Sequence, residues 1–226
     1  MRYIDLTQLD GLIWDMDGVL VDVRLSYREA IRQTAEKLLK RSVIEPEVNA
    51  VKKIVGMNND WDATYALVYQ INDPNKIDRS SSEYKQIYEL FQSVYLGNAE
   101  NKGLIETEKL FIDKTKLLKL KEKYQKMGIA TGRPRNEAEY ILKKFNVKDV
   151  FDSIVAMEDT EKGKPDPEPI VKVMNELKLK NTLYIGDSSS DVVAAKAAGI
   201  PSLYIGADGL GDMQFENINN LMSFLL

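Results

Sequence analysis

Short apolar runs that alternate with helical patterns constrain the fold of this chain more than any other feature. Each run is followed closely by Gly, Asp, Glu or Thr, which is typical of buried strands in a parallel sheet. The predicted strands are residues 11–14, 127–130, 154–157, 183–185 and 202–205. The helical patterns between them are residues 135–145, 168–177 and 191–198. This alternation predicts an α/β fold with a doubly wound parallel sheet, in which ligands bind beyond the carboxyl ends of the strands.

One region interrupts the alternation. From about residue 26 to about residue 104 the pattern is helical, with amphipathic stretches at 27–39, 47–55, 61–71 and 82–96. The polar stretch 72–82 is predicted to be a loop. We therefore expect an α/β core domain formed by residues 1–24 and 105–226, and an all-helical insertion over residues 25–104.

Composition and charge exclude several classes of protein. The 226 residues are 44% hydrophobic and 29% charged, as in an ordinary globular protein. The chain has 31 Lys and Arg residues against 35 Asp and Glu residues, and no basic stretch long enough to follow a nucleic acid backbone. It also lacks an apolar run of about 18 residues and the apolar segment of a secretory signal. We expect a cytoplasmic protein with no nucleic acid or membrane partner.

The sequence contains neither Cys nor His. Disulfides, thiolate nucleophiles, Ser-His-Asp triads, imidazole bases and conventional zinc sites are therefore excluded. Any catalysis has to use carboxylates, hydroxyls, Lys, Arg, backbone amides and a hard cation that prefers oxygen ligands.

The first predicted strand leads directly into the segment Asp15-Met16-Asp17-Gly18. Two carboxylates at this spacing can converge on one point if the backbone turns at Gly18. One could then attack a substrate while the other moves a proton. Taken alone, the segment is explained equally well as an acidic turn, and an EF-hand is disfavoured because the later ligands are absent.

Three further segments place polar side chains after a strand or before a helix. The hydroxyl of Thr131 and the amide of Gly132 could bind a phosphate oxygen, or the segment could simply cap a helix. Lys164 lies in a proline-rich loop that would hold it in place, although such loops are more often merely solvated. Asp187 and Asp191 follow a strand, and Asp191 alone could be a plain helix N-cap.

In their order along the chain, these four segments resemble the motifs of the haloacid dehalogenase superfamily, in particular its phosphatase-like members with a helical cap after the first strand. The resemblance covers residues 1–24 and 105–226, and all four motifs are intact. It implies a Rossmann-like core, a helical cap over residues 25–104 and hydrolysis of a phosphate ester.

The resemblance also implies a role for each residue. Asp15 would be the nucleophile that forms an aspartyl-phosphate, and Asp17 would be the general acid and base. Thr131 and the amide of Gly132 would hold the phosphoryl group, and Lys164 would neutralise charge on Asp15 and on the phosphoryl oxygens. Dehalogenases of the superfamily lack an acid at the position of Asp17, so its presence favours phosphoryl transfer.

The cofactor implied by the resemblance is Mg²⁺. Its ligands would be Asp15, the backbone carbonyl of Asp17 and Asp187, with Asp191 nearby or bound through water. This agrees with the preference of Mg²⁺ for a few carboxylate oxygens completed by water and phosphate. Without a cation, crowded carboxylates would repel one another and the phosphate.

The expected substrate is a small phosphorylated metabolite. Arg24 and Arg28, in the segment after the first motif, and Arg133, beside the second motif, are candidate contacts for a second anionic group. The segments DMDGVLVDV, SYREAI and TGRPR resemble a subgroup associated with histidine biosynthesis, so histidinol phosphate is one candidate, beside sugar or glycolate-type phosphates.

Several alternatives stay open at this point. A phosphomutase of the same superfamily would keep all four motifs, and a non-catalytic phospholigand-binding protein would keep the fold. Phosphonate cleavage through a cap lysine is open but unsupported. Dehydration of imidazoleglycerol phosphate is hard to reconcile with a chain that lacks His, because the known family for that reaction uses a histidine-bound metal. The protein is expected to be a monomer or a homodimer.

Overall fold

The computed structural model describes residues 4–54, 56–57, 59–207 and 210–226. The chain divides into two compact units. The first runs through Asp22 and resumes from Lys109 to Leu226, and the second is Val23–Glu108. The first unit carries the β-sheet, and the second is built from helices.

The secondary structure elements have the following bounds. The strands are β1 (Gly11–Trp14), β2 (Val21–Asp22), β3 (Lys109–Leu110), β4 (Met127–Ala130), β5 (Ser153–Val155), β6 (Thr182–Gly186), β7 (Ser202–Ile205) and β8 (Met213–Phe215). The helices are α1 (Tyr27–Leu39), α2 (Glu45–Lys52), α3 (Asp60–Tyr69), α4 (Ser82–Tyr95), α5 (Lys114–Tyr124), α6 (Arg135–Lys144), α7 (Glu168–Leu177), α8 (Ser189–Ala197) and α9 (Ile218–Leu225).

Within the described residues, the first unit contains a parallel sheet of six strands in the order β5-β4-β1-β6-β7-β8. The chain adds β4 and β5 on one side of β1 and then returns to add β6, β7 and β8 on the other side. The carboxyl ends of β1 and β6 therefore flank a topological switch point, which is where ligands bind in open α/β sheets. β2 and β3 form a separate antiparallel pair. The expected doubly wound parallel sheet is confirmed.

The centre of the sheet is buried because helices cover it, as parallel sheets require. Every residue of β1, β4 and β6 is buried. Ile13 and Tyr184 from adjacent strands belong to one apolar cluster with Ile170 and Val173 of α7. The residues that follow these strands are thus attached to a rigid scaffold.

Several elements of the first unit differ from the sequence prediction. The strand predicted at 154–157 is β5, which ends at Val155 because a 3-10 turn begins at Met157. The helix predicted at 191–198 starts earlier, at Ser189.

Five elements of this unit were not predicted: the paired strands β2 and β3, the edge strand β8 and the helices α5 and α9. The helix α5 is rich in lysine and buries Leu117, Leu120 and Tyr124 along one narrow stripe, so its apolar periodicity is weak in the sequence. The strand β8 has three residues, none of them fully buried, and such a short segment has no clear period.

The second unit contains α1 to α4, so the expected helical character of the insertion is confirmed. The aromatic rings of Tyr27 and Tyr95 stack with centroids 4.5 Å apart, and the Tyr95 hydroxyl donates to Glu108 at 2.8 Å. The helix predicted at 47–55 runs instead from Glu45 to Lys52, because Pro46 is favoured in a first turn. Val55, the last residue of that prediction, lies outside the described residues.

Among the helices of the described ranges, none is long and apolar enough to cross a bilayer.

Candidate active site

Asp15 lies at the switch point of the sheet. It follows β1 directly, its side chain is almost fully buried, and its backbone N–H donates to the carbonyl of Ile185 in β6 at 2.8 Å. Burial raises the pKa of the Asp15 carboxyl well above its usual value, and the carboxylates around it add to this rise while Lys164 opposes it. A buried carboxylate with a perturbed pKa at a switch point is a candidate nucleophile.

Lys164 joins two buried carboxylates. Its Nζ lies 2.7 Å from Oδ1 of Asp15 and 2.6 Å from Oδ1 of Asp191, and it also donates to the Tyr184 hydroxyl at 2.8 Å. Burial alone would lower the pKa of Lys164, but the two carboxylates outweigh burial and raise it. The ammonium group therefore stays charged and offsets part of the negative charge at the site.

Tyr184 is a site residue that sequence analysis missed. Besides accepting from Lys164, its hydroxyl lies 2.9 Å from the carbonyl of Ala130 and 3.2 Å from Oδ1 of Asp191. Burial, together with the carboxylates of Asp15 and Asp191, raises the pKa of this hydroxyl, which stays neutral. The available signal was one hydroxyl in the otherwise apolar run 183–185, two residues before Gly186.

Asp191 is not the N-cap of α8, which corrects the simplest reading of the sequence. Ser188 is the N-cap, because its backbone is extended and its side chain accepts from the Asp191 N–H. The Asp191 Oδ2 accepts in turn from the Ser188 N–H at 3.0 Å and from the Ser188 hydroxyl at 2.7 Å, which completes a capping box. Burial would raise the pKa of Asp191, but Lys164 and Ser188 outweigh it and lower that pKa.

Asp187 approaches the backbone after β1. A Cβ atom at Gly18, whose φ is +77°, would overlap the Asp187 carboxylate, so this approach requires glycine. Carboxylate oxygens of Asp15, Asp187 and Asp191 all lie within 4.8 Å of one another. Burial and then the Asp191 charge raise the pKa of Asp187 to about 7. Three crowded acidic groups of this kind fit a hard divalent cation such as Mg²⁺.

Asp17 pairs with Arg133. The Arg133 Nε donates to Oδ1 of Asp17 at 2.9 Å, and its Nη2 contacts the same oxygen. Arg133 was predicted as a candidate contact for a second anionic group of the substrate, and in this structure its guanidinium is engaged by Asp17.

Thr131 and Gly132 follow β4, the strand beside β1. The Thr131 N–H donates to Val155, and its Oγ1 accepts from the Arg133 N–H at 3.1 Å. Gly132 is exposed, and a Cβ atom there would meet nothing within 4 Å. The first unit thus brings the first, third and fourth motifs into direct contact, and the Arg133 bond to Asp17 connects the second motif to them.

The remaining two predicted site residues belong to the helical unit. Arg24 and Arg28 are exposed, and Arg28 donates to Asn49. Their proposed contact with substrate stays a prediction.

Comparison with known proteins identifies the family. A family model described as haloacid dehalogenase-like hydrolase matches residues 12–205. The chain therefore belongs to the haloacid dehalogenase-like hydrolases.

Individual relatives have different printed activities. The phosphorylated carbohydrates phosphatase of Thermotoga maritima is 30% identical over 210 residues, covering 90% of this chain and 88% of that protein. An imidazoleglycerol-phosphate dehydratase of Phytophthora nicotianae is 32% identical over 195 residues, covering 84% of this chain. The match covers only 42% of the dehydratase. The crystal structure of a candidate β-phosphoglucomutase from Thermotoga maritima superposes with a TM-score of 0.69 at 25% identity, covering 96% of this chain and 99% of that one. The expectation of a phosphatase-type hydrolase of this family is confirmed.

Proposed function

We propose that this chain hydrolyses a small phosphomonoester through an aspartyl-phosphate on Asp15, with Mg²⁺ bound beside it. The observation that carries the proposal is the buried Asp15 carboxylate at the sheet switch point, with the Lys164 ammonium 2.7 Å away and Asp187 close by. This arrangement combines a nucleophile, a fixed positive charge and a donor set for a hard cation.

In the first step, a carboxylate oxygen of Asp15 attacks phosphorus, and the bond from phosphorus to the leaving oxygen breaks. Asp17 gives its proton to that oxygen. In the second step, water attacks phosphorus and gives a proton to Asp17, and the bond between phosphorus and Asp15 breaks. Inorganic phosphate leaves, and both carboxyl groups return to their starting states.

Lys164, Thr131 and Gly132 would hold the phosphoryl group during both steps. The Lys164 ammonium opposes the rise that burial causes in the pKa of Asp15, and it would attract the phosphoryl oxygens. Gly132 suits a site where backbone amides approach a phosphate closely, because the space beside it is open.

The chain's residues fit Mg²⁺ through Asp15, Asp187 and the backbone carbonyl of Asp17. Both oxygens of Asp191 already accept hydrogen bonds from Lys164, Ser188 and neighbouring groups, which favours contact with the ion through water. When bound, the ion would screen the carboxylates and the phosphate from each other.

Two substitutions test the mechanism. With p-nitrophenyl phosphate and Mg²⁺, Asp15→Asn should lose activity by at least about a thousandfold, because the nucleophile is removed. Asp113→Asn is the matched control, because it makes the same change of side chain at a residue that caps the helix α5, where Asn is an equally good cap. Equal activity in wild type and Asp15→Asn would remove the proposed mechanism.

The substrate itself needs a screen for phosphate release. Histidinol phosphate, sugar phosphates and phosphoglycolate are the first compounds to compare, the sugar phosphates being favoured by the carbohydrate phosphatase relative. The resemblance to capped members of the superfamily also implies that the helical insertion selects the substrate. Dehydration of imidazoleglycerol phosphate is not proposed, because the chain has no His and spans less than half of the dehydratase that it matches.

A phosphomutase is the second candidate, favoured by the similarity to the candidate β-phosphoglucomutase. A mutase would return the phosphoryl group to the sugar. Quantifying inorganic phosphate against sugar phosphate isomers separates the two activities, because a mutase would rearrange the substrate while releasing little phosphate.

A further inference from the structure

Arg133 reaches Asp17 from the inside of the protein. The Arg133 side chain is completely buried, whereas the Asp17 side chain is 31% exposed. Nε and Nη2 of Arg133 both contact Oδ1 of Asp17. A guanidinium group has donors only and keeps its charge, so it acts on Asp17 as a fixed pair of donors.

This contact occupies one of the two carboxylate oxygens of Asp17. With Oδ1 held by two guanidinium donors, a proton on the Asp17 carboxyl has to lie on Oδ2. We propose that Arg133 is a positioning residue that fixes Asp17 through Oδ1 and reserves Oδ2 for proton exchange with the leaving oxygen and then with water. The proposal rests on the proposed function and deepens it by assigning a role to a residue outside the four motifs.

Arg133 is itself held by its neighbours. Its N–H donates to Thr131 Oγ1 at 3.1 Å, and its carbonyl accepts from the Met157 N–H at 3.0 Å. The backbone of Arg133 is thus part of the turn that carries Thr131 and Gly132. Because the same turn would hold the phosphoryl group, Arg133 fixes the acid relative to the phosphorus atom on which it acts.

The competing role for Arg133 is direct binding of a second anionic group of the substrate. The two roles predict different kinetics. A positioning role affects substrates according to how much their leaving oxygen needs a proton, whereas a binding role affects those that carry a second anionic group.

Arg133→Gln and Arg133→Lys test the proposal on the full chain with Mg²⁺. An alkyl phosphate without a second anion needs the acid, while p-nitrophenyl phosphate has a good leaving group and needs it little. Arg133→Gln should lower kcat/KM for the alkyl phosphate by about a hundredfold and for p-nitrophenyl phosphate only severalfold. Arg133→Lys keeps the positive charge but lacks the paired Nε and Nη2 donors. It should therefore cause an intermediate loss of kcat/KM for the alkyl phosphate.

Combination with Asp17→Asn gives the second readout. If Arg133 acts through Asp17, adding Arg133→Gln to Asp17→Asn should cause no further loss on either substrate. Arg135→Gln is the matched control, because Arg135 is two residues away and pairs with Asp159. It should leave the ratio between the two substrates unchanged.

Three outcomes would overturn the proposal: equal losses on both substrates, a further loss in the Asp17→Asn background, or an increase in KM confined to substrates with a second anion. If Arg133→Gln fails to fold, Arg133→Lys and its combination with Asp17→Asn decide the question alone. Failure of the proposed function would look different, since Asp15→Asn would then keep its activity.

Discussion

The Nζ of Lys164 lies 2.7 Å from Oδ1 of Asp15, and each side chain is only 10% exposed. A pair this deeply buried is costly to break, because the carboxylate that remains has lost both water and its counter-charge. Lys164→Met should therefore destabilise the metal-free protein by about 3 kcal/mol, measured by urea unfolding, and abolish phosphatase activity.

Lys162→Met is the control for that change, because Lys162 lies in the same loop with its side chain 71% exposed. It should alter stability by less than about 0.5 kcal/mol. If Lys164→Met had effects as small as those expected for Lys162→Met, Lys164 would contribute little to either stability or activity.

The close approach of Gly18 to Asp187 gives a second prediction. In Gly18→Ala the new methyl group overlaps the Asp187 carboxylate, and the positive φ of 77° is also unfavourable for alanine. Moving Asp187 by about 1 Å should cost at least about a hundredfold in activity, together with weaker Mg²⁺ binding in a calorimetric titration.

Gly163→Ala is its matched control, since a Cβ atom there would meet nothing within 4 Å. This variant should keep wild-type affinity for Mg²⁺. If the Gly18→Ala protein bound Mg²⁺ with wild-type affinity, the Asp187 carboxylate could move without weakening Mg²⁺ binding, and the prediction would be wrong.

Tyr184→Phe separates a role in the site from a role in stability. The hydroxyl bonds to Lys164 and the Ala130 carbonyl, so its removal should cost about 1 kcal/mol of stability and lower kcat about tenfold through a less fixed ammonium group. Tyr124→Phe removes a comparable buried hydroxyl, which bonds to the Leu225 carbonyl. It should cost similar stability in thermal unfolding but leave kcat unchanged, and a similar fall in kcat for both variants would contradict the prediction.

The sequence predicts where the strands end, but it says much less about which side chains contact one another at those ends. Asp15 and Asp187 could be assigned because each follows an apolar run, and parallel strands bring such ends to one edge of the sheet. The pairing of Arg133 with Asp17 could not be predicted, because it joins residues 116 positions apart and depends on side-chain direction. Tyr184 was missed for a related reason, since its ring packs with the core while only its hydroxyl reaches the site.

The N-cap prediction for Asp191 was wrong because two nearby residues could each cap the helix α8. Ser188 and Asp191 are both good N-cap residues, and the sequence alone does not say which one starts the helix. The capping box uses both, with Ser188 as the cap and Asp191 three residues later. Placed there, Asp191 also faces Lys164, which a cap at position 191 would not explain.

Asp187 gives a prediction about pH. In the folded, metal-free protein its pKa is raised to about 7 from a usual value of 3.8, first by burial and then by the Asp191 charge. Between these two values the folded state holds a proton that the unfolded chain has released. Stability from this group is therefore lost as pH rises from about 4 to about 7.

Asp187→Asn removes this titration. Without metal at pH 8, the variant should be more stable than wild type by on the order of 1–2 kcal/mol, and the difference should vanish near pH 4. With saturating Mg²⁺ at pH 8, wild type should instead be more stable than Asp187→Asn, because only wild type keeps the full set of oxygen donors and is stabilised by binding the ion. Thermal unfolding at both pH values, with and without Mg²⁺, measures all four differences.

Asp113→Asn serves as the control again, because its exposed side chain caps α5 and is not one of the three clustered carboxylates, and it should show neither effect. A metal-free Asp187→Asn protein that is less stable than wild type at pH 8 would mean that the carboxylate contributes more to the fold than its burial costs. In that case repulsion among the crowded carboxylates would not destabilise the metal-free protein, and a cation would not be needed to offset it.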